Sequence, residues 1–474
     1  MKLLNNIILK FNCMMDNIGY KYIIIFCISI SAIISIYYSG ISLWADELFS
    51  TVETNSSMSL LSVVKEASLA DSWPPLYYIL LHYIQLLFGD SEFVLRLPSI
   101  ILNLISIVFV YLLTKQIYSK KEALLSCILF SFSPFILSYS IEVRGYSLFL
   151  CLAILSFYLI IKIINNNLNT KYIYTYFSIA LLCTLTHYFG LMLVILQIIF
   201  LFDNTKNFKK HYLLIAFFII LISIYPFIHL NSLYFKKQIF EHNAIFASNI
   251  LNREFFITSE LISVLFLDKI YVIGKYLLYT SFIFLIFNLK YKSNQFILYF
   301  ILLPIIIVNL FAYKFMSFLH ARYFIFVLPL IYIMISHFMN KILQKYYYII
   351  LLCILIFLSC NIQNIEISKI SIQDRDNVIF LKEKLIKDSN TVILHSKLYH
   401  IEYYLKKYNI NDYAMAFFDL SEKEIELLLD NNKTIYILYP FDIQQKDINK
   451  NSHKFKIVKI YNKICKIEKT DINI

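Results

Sequence analysis

Long apolar runs separated by short polar segments dominate the chain from residue 20 to residue 360. A transmembrane helix needs about 20 consecutive apolar residues, and about eleven of these runs approach that length. The pattern therefore predicts a polytopic α-helical membrane protein with about eleven transmembrane helices. The predicted spans are Tyr20–Ser39, Arg96–Leu113, Glu122–Ser140, Gly145–Ile163, Tyr172–Thr186, Phe189–Phe202, His211–Leu230, Ile270–Leu289, Gln295–Tyr313, Tyr323–Phe338 and Tyr346–Cys360.

The apolar segment Pro74–Phe88 is the exception, because we expect it to lie in the membrane interface as an amphipathic segment. With that assignment and a cytoplasmic N-terminus, every inner connection carries lysine, as the positive-inside rule requires. If the segment spanned the membrane, every later span would invert and the lysines would face outward. The lysines therefore place residues 40–92 in a first outer loop and predict a protein of the cytoplasmic membrane.

Residues 361–474 differ from the rest of the chain, because they are polar and alternate short β-rich runs with helical ones. The sequence thus predicts two domains: a transmembrane domain, 1–360, and a small soluble α/β domain, 361–474, outside the cytoplasm. No Gly-rich phosphate loop occurs in the second domain, so nucleotide binding is not indicated. Helices are predicted at Asp376–Lys387, Leu398–Tyr408 and Glu422–Asp430, and strands at Thr391–His395, Ala414–Phe418, Thr434–Tyr439 and Lys456–Tyr461.

Amino-acid composition and charge exclude several classes of protein. The chain is 59% hydrophobic and 17% aromatic, which excludes a soluble globular protein. Its net charge of +12 is spread over short clusters between apolar runs, so it indicates topology rather than nucleic-acid binding. The eight cysteines show no zinc or disulfide spacing, and no metal site is indicated.

Ionisable residues gather at the predicted outer ends of the spans. Asp46 and Glu47 follow the first span, and carboxylates there are suited to deprotonate or orient an acceptor hydroxyl. Arg144 and Arg322 lie at other outer ends, where a guanidinium is suited to bind phosphate oxygens. Together these residue types suit a donor that carries a sugar on a lipid phosphate, with its tail in the bilayer.

Six short motifs occur in order along residues 20–340 on this predicted face. They are Trp44-Ala45-Asp46-Glu47, Asp71-Ser72-Trp73-Pro74-Pro75-Leu76-Tyr77-Tyr78, Leu95-Arg96-Leu97-Pro98-Ser99, Glu142-Val143-Arg144-Gly145-Tyr146, Thr186-His187-Tyr188-Phe189-Gly190 and Ala321-Arg322-Tyr323. In this series the chain resembles the membrane glycosyltransferases of the GT-C fold. The resemblance is to the glycosyltransferase family 39-like branch of the protein O-mannosyltransferases and the lipid A aminoarabinose transferase.

The resemblance implies an inverting transferase that uses a polyprenyl-phosphate sugar, with Asp46 as the catalytic carboxylate, a general base or a group that orients the acceptor, and Glu47 beside it. Trp73 stands where the family often has histidine, which puts in doubt any metal or sugar contact of that histidine. No cofactor is implied, and a divalent metal is left open. The expected substrate-binding residues are Arg96, Glu142, Arg144, His187, Tyr188, Arg322 and Tyr323, and the expected loop-shaping residues are Trp44, Pro74 and Pro75.

Alternatives stay open at this point. Glu142 could simply pair with Arg144, and Arg96 and Arg322 could be interfacial anchors. The rival functions are a lipid-sugar flippase or transporter, a polysaccharide polymerase or ligase that uses a lipid diphosphate, and an inactive scaffold. Transporters tend to place polar groups at the membrane midplane, whereas here they cluster at one face, which favours the transferase. The acceptor is a lipid, a glycan or a protein.

Overall fold

The structure is a computed structural model of the full chain. It describes residues 20–70, 73–166, 169–205, 215, 218–219, 221–222, 271–315, 321–342, 374–387, 391–395, 399–410, 414–416, 430–431, 433–438, 455–461 and 464–469. The chain divides into two compact units. The first contains residues 1–39 and 53–366, and the second contains residues 40–52 and 367–474. The predicted boundary between residues 360 and 361 lies outside the described part of the chain.

Helices make up the described part of the first unit, and several end at recognisable caps. Ser91 and Ser133 accept hydrogen bonds from backbone N–H groups of the helices that follow them, and Gly89, at φ +86°, ends the helix before it. The helices are α1 (Tyr20–Ser39), α2 (Ala45–Glu53), α3 (Leu60–Ala70), α4 (Leu76–Phe88), α5 (Glu92–Ile117), α6 (Lys120–Ser131), α7 (Pro134–Ser140), α8 (Tyr146–Asn165), α9 (Thr170–Thr184), α10 (Tyr188–Asn204), α11 (Tyr271–Phe287), α12 (Lys292–Phe315) and α13 (Leu328–Ile342); a 3₁₀ helix, Ala321–Val327, precedes α13, and α2 lies mostly in the second unit.

Among the described residues, four helical segments are long and apolar enough to cross a membrane: α1, α5, α8 and Arg322–Ile342. A fifth is added if α6 and α7, bent by 60° at their break, form one span. Shorter apolar helices are Leu76–Phe88, Tyr188–Asn204, Lys275–Phe287 and Lys292–Val308. The chain is thus a multi-pass helical membrane protein, and the count of about eleven spans stays a prediction, since Tyr346–Cys360 and most of His211–Leu230 are outside the described residues.

Helix α4 has the length of an interfacial element. Its 13 residues, at 1.5 Å each, extend about 20 Å, short of the about 30 Å hydrocarbon core. Pro75 precedes it, and the N–H of Leu76 donates to the Leu185 carbonyl at the end of α9, 3.0 Å away. This bond fixes the entry of α4 beside the turn between α9 and α10. That α4 lies in the interface remains a prediction.

Helix α5 packs against α6 and α8, α8 also packs on α9, and α13 packs on α6. Buried polar side chains join these helices: Asn103 donates to Ser31 at 3.3 Å, and Gln197 donates to Ser156 at 2.7 Å. In a bilayer, such interhelical bonds and close packing stabilise helix association, because lipid is as apolar as the helix surfaces.

The second unit contains a five-stranded mixed sheet in the order β2-β1-β3-β5-β4. Its strands are β1 (Thr391–His395), β2 (Ala414–Ala416), β3 (Thr434–Leu438), β4 (Phe455–Tyr461) and β5 (Ile464–Lys469), and its helices are α14 (Asp374–Lys387) and α15 (Tyr399–Lys407). β1 is parallel to β2 and β3, and β5 is antiparallel to β3 and β4. Strand β5 was not predicted from the sequence, and the predicted helix Glu422–Asp430 lies almost wholly outside the described residues.

Candidate active site

The motif residues fall in both units. Pro74, Pro75, Arg96, Glu142, Tyr188 and a cluster of six further residues belong to the first unit, whereas Trp44, Asp46 and Glu47 belong to the second. We call the cluster the arginine–aromatic box and the segment Gly40–Val52 the acid segment. Asp71 and Ser72, which precede the box in sequence, lie outside the described residues. The box consists of Trp73, Arg144, Tyr146, His187, Arg322 and Tyr323.

The turn between α9 and α10 delivers His187. Its Nδ1 accepts a hydrogen bond from the N–H of Phe189 at 3.0 Å, so His187 is the N-cap of α10. Gly190 allows this tight turn, because a Cβ there would lie 2.3 Å from the carbonyl oxygen of Cys183. With Nδ1 as the acceptor, the neutral ring carries its proton on Nε2.

Aromatic rings surround this imidazole. Trp73 meets it edge-on, with ring centroids 4.6 Å apart, and Phe149 stacks on it at 4.9 Å and an interplanar angle of 11°. Tyr323 lies 5.4 Å from the same ring, and Trp73 also contacts Tyr146 at 5.2 Å. The packing leaves His187 only 4% exposed and holds its ring in one orientation.

Two guanidinium groups adjoin these rings. The Arg144 guanidinium carbon lies 4.9 Å from the Trp73 ring centroid, and Nη1 of Arg144 donates to the Tyr78 hydroxyl at 3.4 Å. The Arg322 guanidinium carbon lies 5.7 Å from the Tyr146 ring and 5.8 Å from the Tyr323 ring. Arg144 is buried and Arg322 is half-buried, so stacking on aromatic faces offsets part of their desolvation.

The electrostatics of the box follow from this geometry. Burial, and to a smaller extent the charges of Arg144 and Arg322, together lower the pKa of His187 to about 3. The imidazole is therefore neutral at physiological pH. Within the described residues, its Nε2 and the hydroxyl of buried Tyr146 have no hydrogen-bond partner. Two cations and two buried groups able to donate hydrogen bonds make a site suited to the oxygens of an anion.

The remaining sequence-predicted binding residues take up other positions. Glu142 is buried, and its backbone carbonyl accepts from the Ser99 hydroxyl at 2.7 Å, which ties the turn before Arg144 to α5. Arg96 is 1% exposed and donates from Nη1 to the Ser39 carbonyl at 2.8 Å, so it caps the end of α1. Tyr188 is half-buried at the start of α10.

In the acid segment, Asp46 and Glu47 occupy the first turn of α2, where negative charge interacts favourably with the helix dipole. Glu47 is 1% exposed, and its Oε2 accepts from the N–H of Trp44 at 3.1 Å. Because Trp44 stands at the N-cap and Glu47 at the third helical position, this bond is one half of a capping box. Glu47 thus has a structural role, whereas Asp46 is half-buried.

Sequence reasoning assigned no role to Tyr146, Phe149, Tyr78 or the Trp73 ring. Tyr146 and Trp73 were part of recognised motifs, but the contact between the rings of Trp73 and His187 joins distant parts of the sequence, and no pattern of neighbouring residues predicts it. Phe149 follows Tyr146 by three positions on α8, a spacing that places both on one helix face and could have indicated it. Within the described parts of the chain, no group of three or more His, Cys, Asp or Glu residues could hold a metal ion.

Comparison with protein-family models matches residues 72–229, about a third of the chain, to the family described as dolichyl-phosphate-mannose-protein mannosyltransferase. No curated protein matches the sequence. Similar solved structures include ArnT from Cupriavidus metallidurans in the apo state, at TM-score 0.50 and 9% identity, covering 94% of this chain and 97% of that one. ArnT from the same organism bound to undecaprenyl phosphate matches at TM-score 0.50 and 10% identity, again covering 94% of this chain and 97% of that one.

The archaeal oligosaccharyltransferase AglB from Archaeoglobus fulgidus, in complex with an inhibitory peptide and a dolichol-phosphate, matches at TM-score 0.48 and 12% identity. This match covers 88% of this chain and 69% of that one. The likeness to ArnT extends over nearly the whole of both chains and concerns the fold. The chain therefore has the GT-C fold of membrane glycosyltransferases, and residues 72–229 carry the family's sequence pattern, which confirms the predicted resemblance.

Proposed function

We propose that the protein is an inverting glycosyltransferase that moves a sugar from a polyprenyl-phosphate donor to an acceptor hydroxyl. The reaction takes place on the outer face of the cytoplasmic membrane. The observation that carries this proposal is the arginine–aromatic box, which brings two guanidinium groups together with the neutral His187 imidazole and the Tyr146 hydroxyl. Among the described residues, His187 Nε2 and the Tyr146 hydroxyl have no hydrogen-bond partner. Such a site suits a phosphate whose lipid tail stays in the bilayer.

In this reaction the acceptor hydroxyl oxygen attacks the anomeric carbon of the donor sugar. The new carbon–oxygen bond forms on the face opposite the phosphate, which inverts the centre as the phosphate bond breaks. Asp46 takes the proton of the acceptor hydroxyl, and the polyprenyl phosphate leaves with the bonding electrons. Arg144 and Arg322 stabilise the charge that develops on the leaving phosphate.

The box supports this role in two ways. Its cations stay charged at every physiological pH, since guanidinium groups do not deprotonate in proteins. Neutral His187 donates a hydrogen bond from Nε2 without taking up a proton, so it binds an oxygen and leaves the proton transfer to a carboxylate. The fold of ArnT, crystallised with undecaprenyl phosphate, is compatible with a donor of the same chemical class.

The test uses the purified full chain in proteoliposomes with a panel of polyprenyl-phosphate sugars and with lipid, glycan and protein acceptors. Release of free polyprenyl phosphate is measured for the wild type, Asp46→Asn and Asp90→Asn. Asp90 is an exposed carboxylate of the same predicted outer loop and serves as the matched control. We expect Asp46→Asn to lower kcat about 1,000-fold and Asp90→Asn to leave it unchanged.

Equal release by the wild type and Asp46→Asn would remove Asp46 from the chemistry. Translocation of intact donor across the bilayer without release would favour the flippase alternative. Turnover of lipid-diphosphate sugars alone would favour the polymerase or ligase alternative. Chromatography of the lipid fraction measures release from each donor, and accessibility of intact donor to a membrane-impermeant reagent measures translocation in the same vesicles. Turnover with one donor identifies the sugar.

A further inference from the structure

The acid segment belongs to the second unit although it connects two helices of the first. Residues 40–52 cluster with residues 367–474, whereas Ser39 before them and Glu53 after them belong to the first unit. The carboxylate assigned to catalysis therefore lies on a segment whose neighbours are residues of the C-terminal α/β fold. The contacts within the second unit show how this segment is held.

Three hydrogen bonds join the acid segment to α14 and α15. The N–H of Leu43 donates to the hydroxyl of Tyr404 at 2.8 Å. Nη1 of Arg375 donates to the carbonyl of Gly40 at 2.8 Å, and the N–H of Arg375 donates to the hydroxyl of Ser42 at 3.2 Å. Each bond reaches across more than 300 positions of the sequence, and together they hold three residues at the start of the segment, Gly40, Ser42 and Leu43.

The partners on the C-terminal side are firmly placed. Tyr404 is fully buried in the core of the second unit together with Val378 and Leu381 of α14 and Ile393 of β1. Its hydroxyl therefore has little freedom to move relative to the sheet. Leu43 is fully buried as well. A buried N–H that lost its acceptor would carry the full cost of desolvation, so this bond is a strong constraint.

The bond acts on the residue directly before the N-cap of α2. Leu43 precedes Trp44, whose N–H is held by Glu47, and Asp46 follows two positions later. Fixing Leu43 therefore fixes the start of α2 and the direction in which Asp46 leaves the backbone. In return, the hydroxyl of Ser42 accepts from the N–H of Arg375 in the first turn of α14, so the segment also caps the start of that helix.

We propose that the C-terminal α/β unit positions the catalytic carboxylate, with Tyr404 and Arg375 as positioning residues that act through the acid segment on Asp46. This inference rests on the proposed function, since it gives the C-terminal unit a part in that same reaction. It assigns the unit a role in catalysis that is separate from any binding of the acceptor.

The experiment uses the full chain in proteoliposomes and compares Tyr404→Phe with Tyr403→Phe and Asp46→Asn. Tyr403 is the matched control, because it lies on the same helix and packs against the same core, while its hydroxyl accepts from Lys407 at 3.5 Å. Hydrogen exchange of residues 40–52 is measured with kcat and donor KM. Misplacing a catalytic group costs about 10- to 100-fold in rate, so we expect that loss in kcat, an unchanged KM and faster exchange at Leu43 for Tyr404→Phe only.

Unchanged exchange at Leu43 in Tyr404→Phe, or faster exchange with a wild-type kcat, would overturn the positioning role. Arg375→Gln is the second variant, because Arg375 is half-buried and its replacement leaves the core of the second unit intact. We expect Arg375→Gln to lower kcat and Arg375→Lys to retain more of the wild-type kcat than Arg375→Gln does. A wild type that releases no polyprenyl phosphate, or an Asp46→Asn variant with full activity, overturns the proposed function itself. The exchange data distinguish these cases, since they report the hydrogen bond without turnover.

Discussion

The arginine–aromatic box and the acid segment reach a defined geometry by different routes. The box is assembled from side chains of α8 and the turn before it, the turn between α9 and α10, the 3₁₀ helix and the segment before α4, and its rings hold one another. The acid segment is set by hydrogen bonds from its backbone to residues more than 300 positions away and by a local helix cap, Glu47 on Trp44.

The difference has a chemical meaning. A box made of stacked cations and rings can bind charge strongly, because few of its parts can relax when a ligand is absent. The acid segment is held through the backbone groups of Gly40 and Leu43, so these bonds set where the Asp46 side chain begins. The first region should therefore respond to substitution mainly in binding, and the second in turnover or stability.

The largest expected effect is on binding by the box. Replacing both Arg144 and Arg322 with glutamine removes two charge-assisted contacts, and we expect the affinity for polyprenyl phosphate to fall by about 4 kcal/mol, or 1,000-fold in Kd. Equilibrium binding of the labelled lipid to the detergent-solubilised protein measures it. Lys162→Gln removes one charge from the far end of α8 and is the control. Equal affinity of all variants would show that the box does not bind the phosphate.

The second prediction tests how tightly the box is built. In Gly190→Ala the new Cβ would meet the backbone of Cys183 at 2.3 Å, so α9 and α10 must separate. We expect a loss of about 3 kcal/mol in the free energy of unfolding, seen as a lower Tm in detergent. Gly145→Ala is the control, because its Cβ would lie 3.4 Å from Tyr77, an ordinary contact. Similar Tm values for the two variants would contradict the close approach.

The third prediction concerns pH. His187 has a folded pKa of about 3 against an ordinary value of 6.5, so the unfolded chain binds its proton first. Its contribution to stability is complete above pH 6.5 and is lost progressively as the pH falls toward 3. Between pH 7 and pH 5 the expected loss is about 2 kcal/mol. His187→Asn keeps an acceptor for Phe189 and removes the titration, so its Tm should fall less over this range. Parallel Tm curves would refute the buried neutral imidazole.

The sequence predicted the helices better than it predicted their contacts. Tyr20–Ser39 has the same bounds in the structure, and the break placed at Thr186-His187 is where α9 ends and α10 begins. Hydropathy runs and turn residues carry this information locally. The bond between Leu43 and Tyr404 spans 361 positions, and nothing periodic in either segment marks it. Charge at the predicted helix ends singled out Arg144 and Arg322, and the structure places both guanidinium groups beside aromatic rings; that they bind a phosphate stays a prediction.

The smallest expected effect separates the two adjacent acids of the acid segment. Glu47 holds the N–H of Trp44, so Glu47→Gln, which keeps an acceptor oxygen, should retain both stability and turnover. Glu47→Ala loses the acceptor and should lower the free energy of unfolding by about 1 kcal/mol, measured by denaturant titration in detergent. Asp46→Asn should show the opposite pattern, with turnover lost and stability kept. If Glu47→Gln lost turnover as fully as Asp46→Asn, then both carboxylates would take part in the chemistry, and the cap would be secondary to it.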